Sequence, residues 1–254
     1  MQATGEFADK VVIVTGAARG IGKAIAEAFA TKGGTVLILD ILEDEGETTA
    51  RAIEAAGGQA TAITVDATDR HQVKNVVAEI ALDYGRIDVL VNNIGWNNPT
   101  PFLTSDEALW QRLLDVNLMT ALRFCREVLP HMVEQQSGSI VNIASIAGIH
   151  PWPGSVLYGV AKAGIVSITR SLGAAMAAHN IRVNCVCPGP TETNLSKELR
   201  KTNPDYVRSI HGKLQIGRLA DPEEIAAAVI FLASDAASFV LGECLVVDGG
   251  YNMV

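Results

Sequence analysis

Short runs of apolar, mostly β-branched residues recur along the chain, and all but the last are followed by a longer stretch whose apolar positions return at helical spacing. The runs Lys10 to Thr15, Thr35 to Asp40, Ala60 to Val65, Asp88 to Val91, Ser139 to Ala144, Ile181 to Cys187 and Cys244 to Val247 read as strands. Between them, Ile21 to Thr31, Asp44 to Ala56, Asp69 to Tyr84, Asp106 to Glu134, Ser155 to His179 and Pro222 to Ser234 read as helices. Such alternation is the pattern of right-handed crossover units on a parallel sheet. Strand cores such as Val11-Val12-Ile13-Val14 are apolar without alternation, as they must be when both sheet faces are covered. The expected fold is α/β: a single Rossmann-type doubly wound parallel sheet of about seven strands with helices on both faces. No Pro- or Ser-rich linker divides residues 1–254, so one domain is expected, with its ligand crevice beyond the carboxyl ends of the strands.

Composition narrows the function classes. Of 254 residues, 48% are hydrophobic and 19% charged, enough for a buried core and too little charge for a disordered chain. The net charge of −8 argues against a general nucleic-acid binder, since phosphate backbones are held by clustered Lys and Arg. Cys125, Cys185, Cys187 and Cys244 are scattered without zinc spacing, so neither a disulfide framework nor a metal site is expected. Met1 to Asp9 lacks a charged-then-apolar leader, and the apolar run Ile225 to Ala233 falls far short of the ~20 residues that span a bilayer. A soluble, cytoplasmic protein without membrane partners is the expectation.

The first candidate site follows the first strand, where Thr15-Gly16-Ala17-Ala18-Arg19-Gly20-Ile21-Gly22 leads into a helix. Gly16 permits a tight turn, Gly20 lets backbone approach a pyrophosphate, and Gly22 lets the helix pack near the sheet. The helix start at Ile21 supplies free N–H groups and positive dipole. Asp40, closing the second strand, is placed to accept hydrogen bonds from the adenosine ribose and to repel a 2′-phosphate; Arg19 would favour that phosphate. Weighing the two, NAD is expected rather than NADP. Asp66 with Ala67, after the third strand, suits the adenine amino group, although an acid there also makes an ordinary turn. Asn93 and Gly95, in Asn92-Asn93-Ile94-Gly95, offer an amide and a glycine to the cofactor or simply brace the sheet.

The second candidate site is chemical. Tyr158 and Lys162 are four apart on one helix face, and Ser145 lies just past the fifth strand. A phenol with an ordinary pKa near ~10 is a poor base at neutral pH, but a neighbouring ammonium and an oxidised nicotinamide favour the phenolate. Tyr158 would then be the acid/base, Lys162 would lower its pKa and hydrogen-bond the nicotinamide ribose, and Ser145 would hold the substrate oxygen.

Taken together, Thr15 to Gly22, Asn92 to Gly95, Ser145, Tyr158 to Lys162 and Pro188-Gly189 resemble the short-chain dehydrogenase/reductase family, in family order and over essentially the whole chain. The resemblance implies an NAD(P)-dependent oxidoreductase with Ser145, Tyr158 and Lys162 at its catalytic core. It also implies that Asn117 bends a helix and anchors a water in a proton relay from the lysine. By the same resemblance Pro188, Gly189, Thr191 and Thr193 line the nicotinamide, the Thr193 hydroxyl binding its carboxamide, and the assembly is a homotetramer. Ile94 departs from the family's usual alanine.

The segments Trp96 to Phe102, Ile146 to Ser155 and Asn194 to Arg218 are expected to form the substrate pocket, the last as a lid over residues 194–218. Trp96, Phe102, His150 and Trp152 point to a bulky, largely apolar substrate. The lid carries six cations, among them Arg200 and Lys201, against two carboxylates. This suits an anionic handle: an acyl-CoA or carrier-protein thioester, a carboxylate or a sulfonate. The Trp96 turn and Cys187 to Thr191 more weakly resemble members that oxidise cyclic or aromatic 3-hydroxyacyl-CoA thioesters. Two alternatives stand beside an NAD-dependent alcohol dehydrogenase or ketoreductase. One is a 3-oxoacyl carrier-protein reductase using NADPH, and the other a non-catalytic nicotinamide-binding sensor or partner subunit.

Overall fold

The computed structural model describes residues 5–193, 196 and 212–253. Seven strands, β1 (Val11–Thr15), β2 (Thr35–Asp40), β3 (Gln59–Thr64), β4 (Val89–Asn92), β5 (Gly138–Ile143), β6 (Ile181–Pro188) and β7 (Cys244–Val247), form one sheet. Its order is β3-β2-β1-β4-β5-β6-β7 and every pairing is parallel. The order reverses between β1 and β4, the switch point at which doubly wound sheets open a crevice beyond their strand ends.

Helices α1 (Gly20–Thr31), α2 (Glu43–Ala55), α3 (Arg70–Tyr84), α4 (Glu107–Leu114), α5 (Thr120–Gln135), α6 (Val156–Met176) and α7 (Pro222–Ala233) surround the sheet. Because alternate strand residues point to opposite faces, β1 sends Val12 and Val14 to one core, with Ile25 and Phe29 of α1 and Val229 of α7. It sends Val11 and Ile13 to the other, with Val77 of α3 and Phe124 and Val128 of α5. Among the described residues no helix is long and apolar enough to cross a membrane, and no group of three or more His, Cys, Asp or Glu is arranged to hold a metal. All four cysteines are free thiols.

One helical expectation needs correction. The stretch Asp106 to Glu134 is not one regular helix: a π-helical turn at Asp115–Met119 separates α4 from α5. The cause is local, because Asn117 Nδ2 donates to the Leu113 carbonyl at 2.9 Å and so takes an acceptor of the helical ladder.

Candidate active site

The glycine turn is built for close approach. Gly16 and Gly20 sit at φ of 62° and 61°, backbone that side-chain-bearing residues rarely adopt. A Cβ on Gly22 would collide with the Gly16 carbonyl and lie 2.5 Å from Asn93 Nδ2. Ile94, the departure from alanine, packs beneath the turn, its Cγ1 3.2 Å from where a Gly16 Cβ would lie. The first turn of α1 has no side-chain cap, which leaves N–H groups facing the crevice.

Asp40 stands at the carboxyl end of β2 and accepts from Ala18 N at 2.9 Å and Leu42 N at 3.1 Å. Its carboxylate is thereby fixed beside the turn. Arg19 is exposed and leans toward Glu45, 4.0 Å away. Asp66 accepts from the Thr68 backbone (2.9 Å) and hydroxyl (2.7 Å), a turn-forming arrangement, with buried Ala67 beside it. The Asn93 amide is engaged by the turn rather than free, donating to the carbonyls of Gly16 (2.8 Å) and Thr15 (3.1 Å).

At the chemical end, Ser145 follows β5 and its hydroxyl accepts from Ala147 N at 3.1 Å, opening a short 3-10 turn. Tyr158 lies in the first turn of α6, with its hydroxyl beside Ser145. Burial raises the phenol's pKa, and the neighbouring Ser145 side chain opposes that rise. One turn further on, Lys162 lies 5.8 Å from the Tyr158 ring centre and donates to the Ile143 carbonyl at 2.8 Å. Burial pulls the Lys162 amine down to about 8, against an upward pull from Cys187 and Cys185.

Asn117 reaches this cluster from the π turn. A Cβ on Gly95 would lie 3.3 Å from Asn117 Oδ1 and 3.4 Å from Lys162 Nζ, so the bare glycine leaves both polar groups open to one small space. Nearby, Pro188 ends β6 and Gly189 N donates to Val247 O at 2.9 Å. Thr191 bridges Ala220, and the Thr193 methyl lies 3.9 Å from the position of a Gly20 Cβ. The segment after β6 therefore faces the glycine turn across the crevice. These elements can hold a dinucleotide diphosphate at α1 and present a phenol, a hydroxyl and an amine at its far end.

The aromatic expectations fare less uniformly. Trp96 is half-buried under the Arg112 guanidinium, 4.6 Å from the ring centre. Trp152 meets Tyr251 at 6.2 Å, whereas His150 is exposed. Tyr251 was not among the sequence-derived candidates; the Asp248-Gly249-Gly250 ending carries no mark of where the tyrosine behind it points. Arg200 and Lys201 lie outside the described residues, as does most of the 194–218 lid.

The family described as enoyl-(acyl carrier protein) reductase has a profile that matches residues 16–252. A 3-oxoacyl-[acyl-carrier-protein] reductase of Thermotoga maritima is 38% identical over 241 residues, 95% of this chain and 97% of the relative. The cis-4-hydroxycyclohexanecarboxylate dehydrogenase of Sinomonas cyclohexanicum is 44% identical over 251 residues, 98% of each chain. A crystal structure assigned as a short-chain dehydrogenase/reductase, from Burkholderia xenovorans, superposes with a TM-score of 0.95 at 38% identity over 99% of both chains.

Proposed function

Because the chain belongs to the short-chain dehydrogenase/reductase family and is an oxidoreductase acting on CH–OH groups, we propose that it moves hydride between a secondary alcohol or ketone and NAD, with Tyr158 handling the proton. The carrying observation is the Tyr158 side chain placed beside Ser145, with the Lys162 amine 5.8 Å from its ring centre.

The glycine turn fits a dinucleotide on geometry: Gly22 leaves no room for a Cβ, and the uncapped first turn of α1 leaves N–H donors for a diphosphate. Bound oxidised nicotinamide would supply the hydride acceptor and a positively charged ring. Ser145 orients the substrate oxygen by hydrogen bonding. In alcohol oxidation Tyr158, as phenolate, takes the hydroxyl proton as the carbinol hydrogen leaves with its electron pair; in ketone reduction the phenol returns that proton. Protonated Lys162 favours the phenolate by its charge, which offsets the cost of burying it. Asn117 Oδ1 and Lys162 Nζ, both facing the space beside Gly95, would hold a water there that carries the proton outward from the lysine.

Asp40 supports NAD, since its fixed carboxylate would repel a ribose phosphate while Arg19 leans away toward Glu45. A bulky anionic substrate is the preferred class, which accords with the hydroxycyclohexanecarboxylate relative. The second reading, a carrier-protein 3-oxoacyl reductase using NADPH, is favoured by the Thermotoga relative. A cytoplasmic homotetramer completes the proposal, supported by exposed Phe239, Leu241 and Val246 on and beside the edge strand β7.

The test is reduced-nicotinamide absorbance with cyclic, aromatic and acyl-thioester alcohols, run for wild type and Tyr158→Phe. Loss of roughly 10²–10⁴-fold in kcat/KM with fold intact is expected. Equal, measurable rates in the two proteins would remove Tyr158 from the proton step, and no turnover of any alcohol would favour the sensor alternative.

A further inference from the structure

Loops leave the carboxyl ends of β5, β6 and β7, and a tyrosine from the last meets one side chain from each of the other two. Trp152 comes from the loop between β5 and α6, Lys213 from the segment following β6, and Tyr251 from the turn after β7. The Trp152 and Tyr251 rings are 6.2 Å apart at 43°, and Lys213 Nζ lies 5.6 Å from the Tyr251 ring centre. The group adjoins the proposed acid/base: Trp152 Cβ is 3.9 Å from where a Cβ on Gly159 would stand, one residue from Tyr158.

The backbone beneath is tied down. Ile216 N donates to the Gly249 carbonyl at 3.1 Å, joining the Lys213 segment to the C-terminal turn. Asp248 in turn accepts from Gly250 N (2.9 Å) and Asn252 N (3.1 Å). Among the described residues Lys213 has no carboxylate within ion-pair distance, whereas nearby Arg218 is occupied by Glu224 at 2.6 and 2.8 Å. A cation with no carboxylate partner among the described residues thus stands over Tyr251, whose ring adjoins Trp152, at the strand ends where such sheets bind ligands.

We infer that Trp152, Tyr251 and Lys213 form a carboxylate subsite for alicyclic or aromatic hydroxy acids. The substrate ring lies along the two aromatic side chains, its carboxylate meets Lys213 Nζ, and its carbinol faces Ser145 and Tyr158. A single ammonium against an aromatic wall matches one carboxylate on a compact ring better than a thioester, whose nearest phosphate hangs at the end of a long flexible arm. The inference rests on the proposed Tyr158 chemistry for the direction of the carbinol, and its test separates the two.

Calorimetry with cyclohexanecarboxylate, which has no carbinol, reads the subsite without turnover. Lys213→Met is expected to weaken binding about tenfold, the worth of one charge-assisted hydrogen bond, and Lys213→Arg to restore most of it. With NAD, Lys213→Met should raise KM for 4-hydroxycyclohexanecarboxylate by a similar factor at nearly unchanged kcat, while kcat/KM for cyclohexanol stays at the wild-type value. Circular dichroism confirms that each variant folds. No binding by wild type, unchanged binding by Lys213→Met, or an equal loss with cyclohexanol overturns the subsite. So does a dependence on Lys213 seen only with a 3-hydroxyacyl-CoA, which would assign the lysine to a phosphate. Binding that depends on Lys213 while Tyr158→Phe turns over every alcohol like wild type would instead sink the Tyr158 chemistry and leave the subsite standing.

Discussion

Asn117 and Trp96 hold each other at both ends: Asn117 Oδ1 accepts from Trp96 N at 2.9 Å, and Nδ2 donates to the Trp96 carbonyl at 2.7 Å. The same amide takes the Leu113 carbonyl, so one buried side chain sets the π turn and anchors the loop that carries Gly95.

Asn117→Ala is therefore expected to act twice. It leaves the Trp96 N–H and the Trp96 and Leu113 carbonyls without this partner, and each such loss in a buried site costs about 1–3 kcal/mol unless water replaces it. A fall of several degrees in Tm should accompany a loss of at least roughly tenfold in kcat, since Oδ1 also faces the space shared with Lys162. Thermal melts and steady-state rates together check this. A kcat equal to wild type would remove Asn117 from the proton route while leaving its structural role.

Lys162 makes stability depend on pH in a definite direction. Burial holds its amine at about 8 rather than the ordinary 10.5. Between those values the unfolded chain still binds a proton that the folded protein has released, so this group's contribution to stability rises with pH across that window. Below it, the cost of burying the ammonium is present in full. Lys162→Met lacks this titration. Urea unfolding of the cofactor-free proteins should show wild type gaining on the variant between pH 7.5 and 9.5, by an amount on the order of 1–2 kcal/mol. A constant difference across that range would mean that the amine keeps its ordinary pKa.

At the cofactor end, Gly22→Ala places a methyl against the Gly16 carbonyl and the Asn93 amide that braces the turn. Both contacts are with groups held by the backbone, so the turn must shift. Dinucleotide affinity, read by fluorescence titration, is expected to fall at least about tenfold, with a smaller fall in Tm. Wild-type affinity in this variant would mean that the turn does not hold the diphosphate.

The sheet was legible because buried parallel strands are apolar along their whole length; β2 and β7 coincide with the apolar runs, β1 and β6 differ from them by one residue at one end, and β3, β4 and β5 are displaced by one residue at both ends. The glycine turn and the Tyr158–Lys162 pair were legible for a related reason, since a turn and a helix fix their spacing locally. The π turn was not, because its cause is one amide replacing a backbone donor, and Asn117 leaves the apolar period of that stretch undisturbed. The meeting of Trp152 with Tyr251 depends on the course of two loops distant in sequence, which no local pattern encodes. Of the two readings of Asn93, facing the cofactor or bracing the sheet, its hydrogen bonds to the Thr15 and Gly16 carbonyls match the bracing one, so any part in binding would run through the shape of the turn.

Cofactor choice turns on Asp40. Both carboxylate oxygens are occupied, Oδ2 by Ala18 N and Oδ1 by Leu42 N, and this holds the negative charge at the end of β2 where an adenosine ribose would lie. Asp40→Asn removes the charge and forces an amide N–H toward one of two backbone donors, so Tm should fall by the loss of one hydrogen bond, about 1 kcal/mol. The ratio of kcat/KM with NADP to that with NAD should rise at least about tenfold, because the repulsion of a 2′-phosphate is gone while Arg19 remains in the turn. The two effects separate by measurement: the first appears in melts without cofactor, the second only in the ratio. A wild-type enzyme that prefers NADP, or a ratio unmoved by Asp40→Asn, would show that the carboxylate organises the turn without selecting the dinucleotide, and would favour the carrier-protein reductase reading.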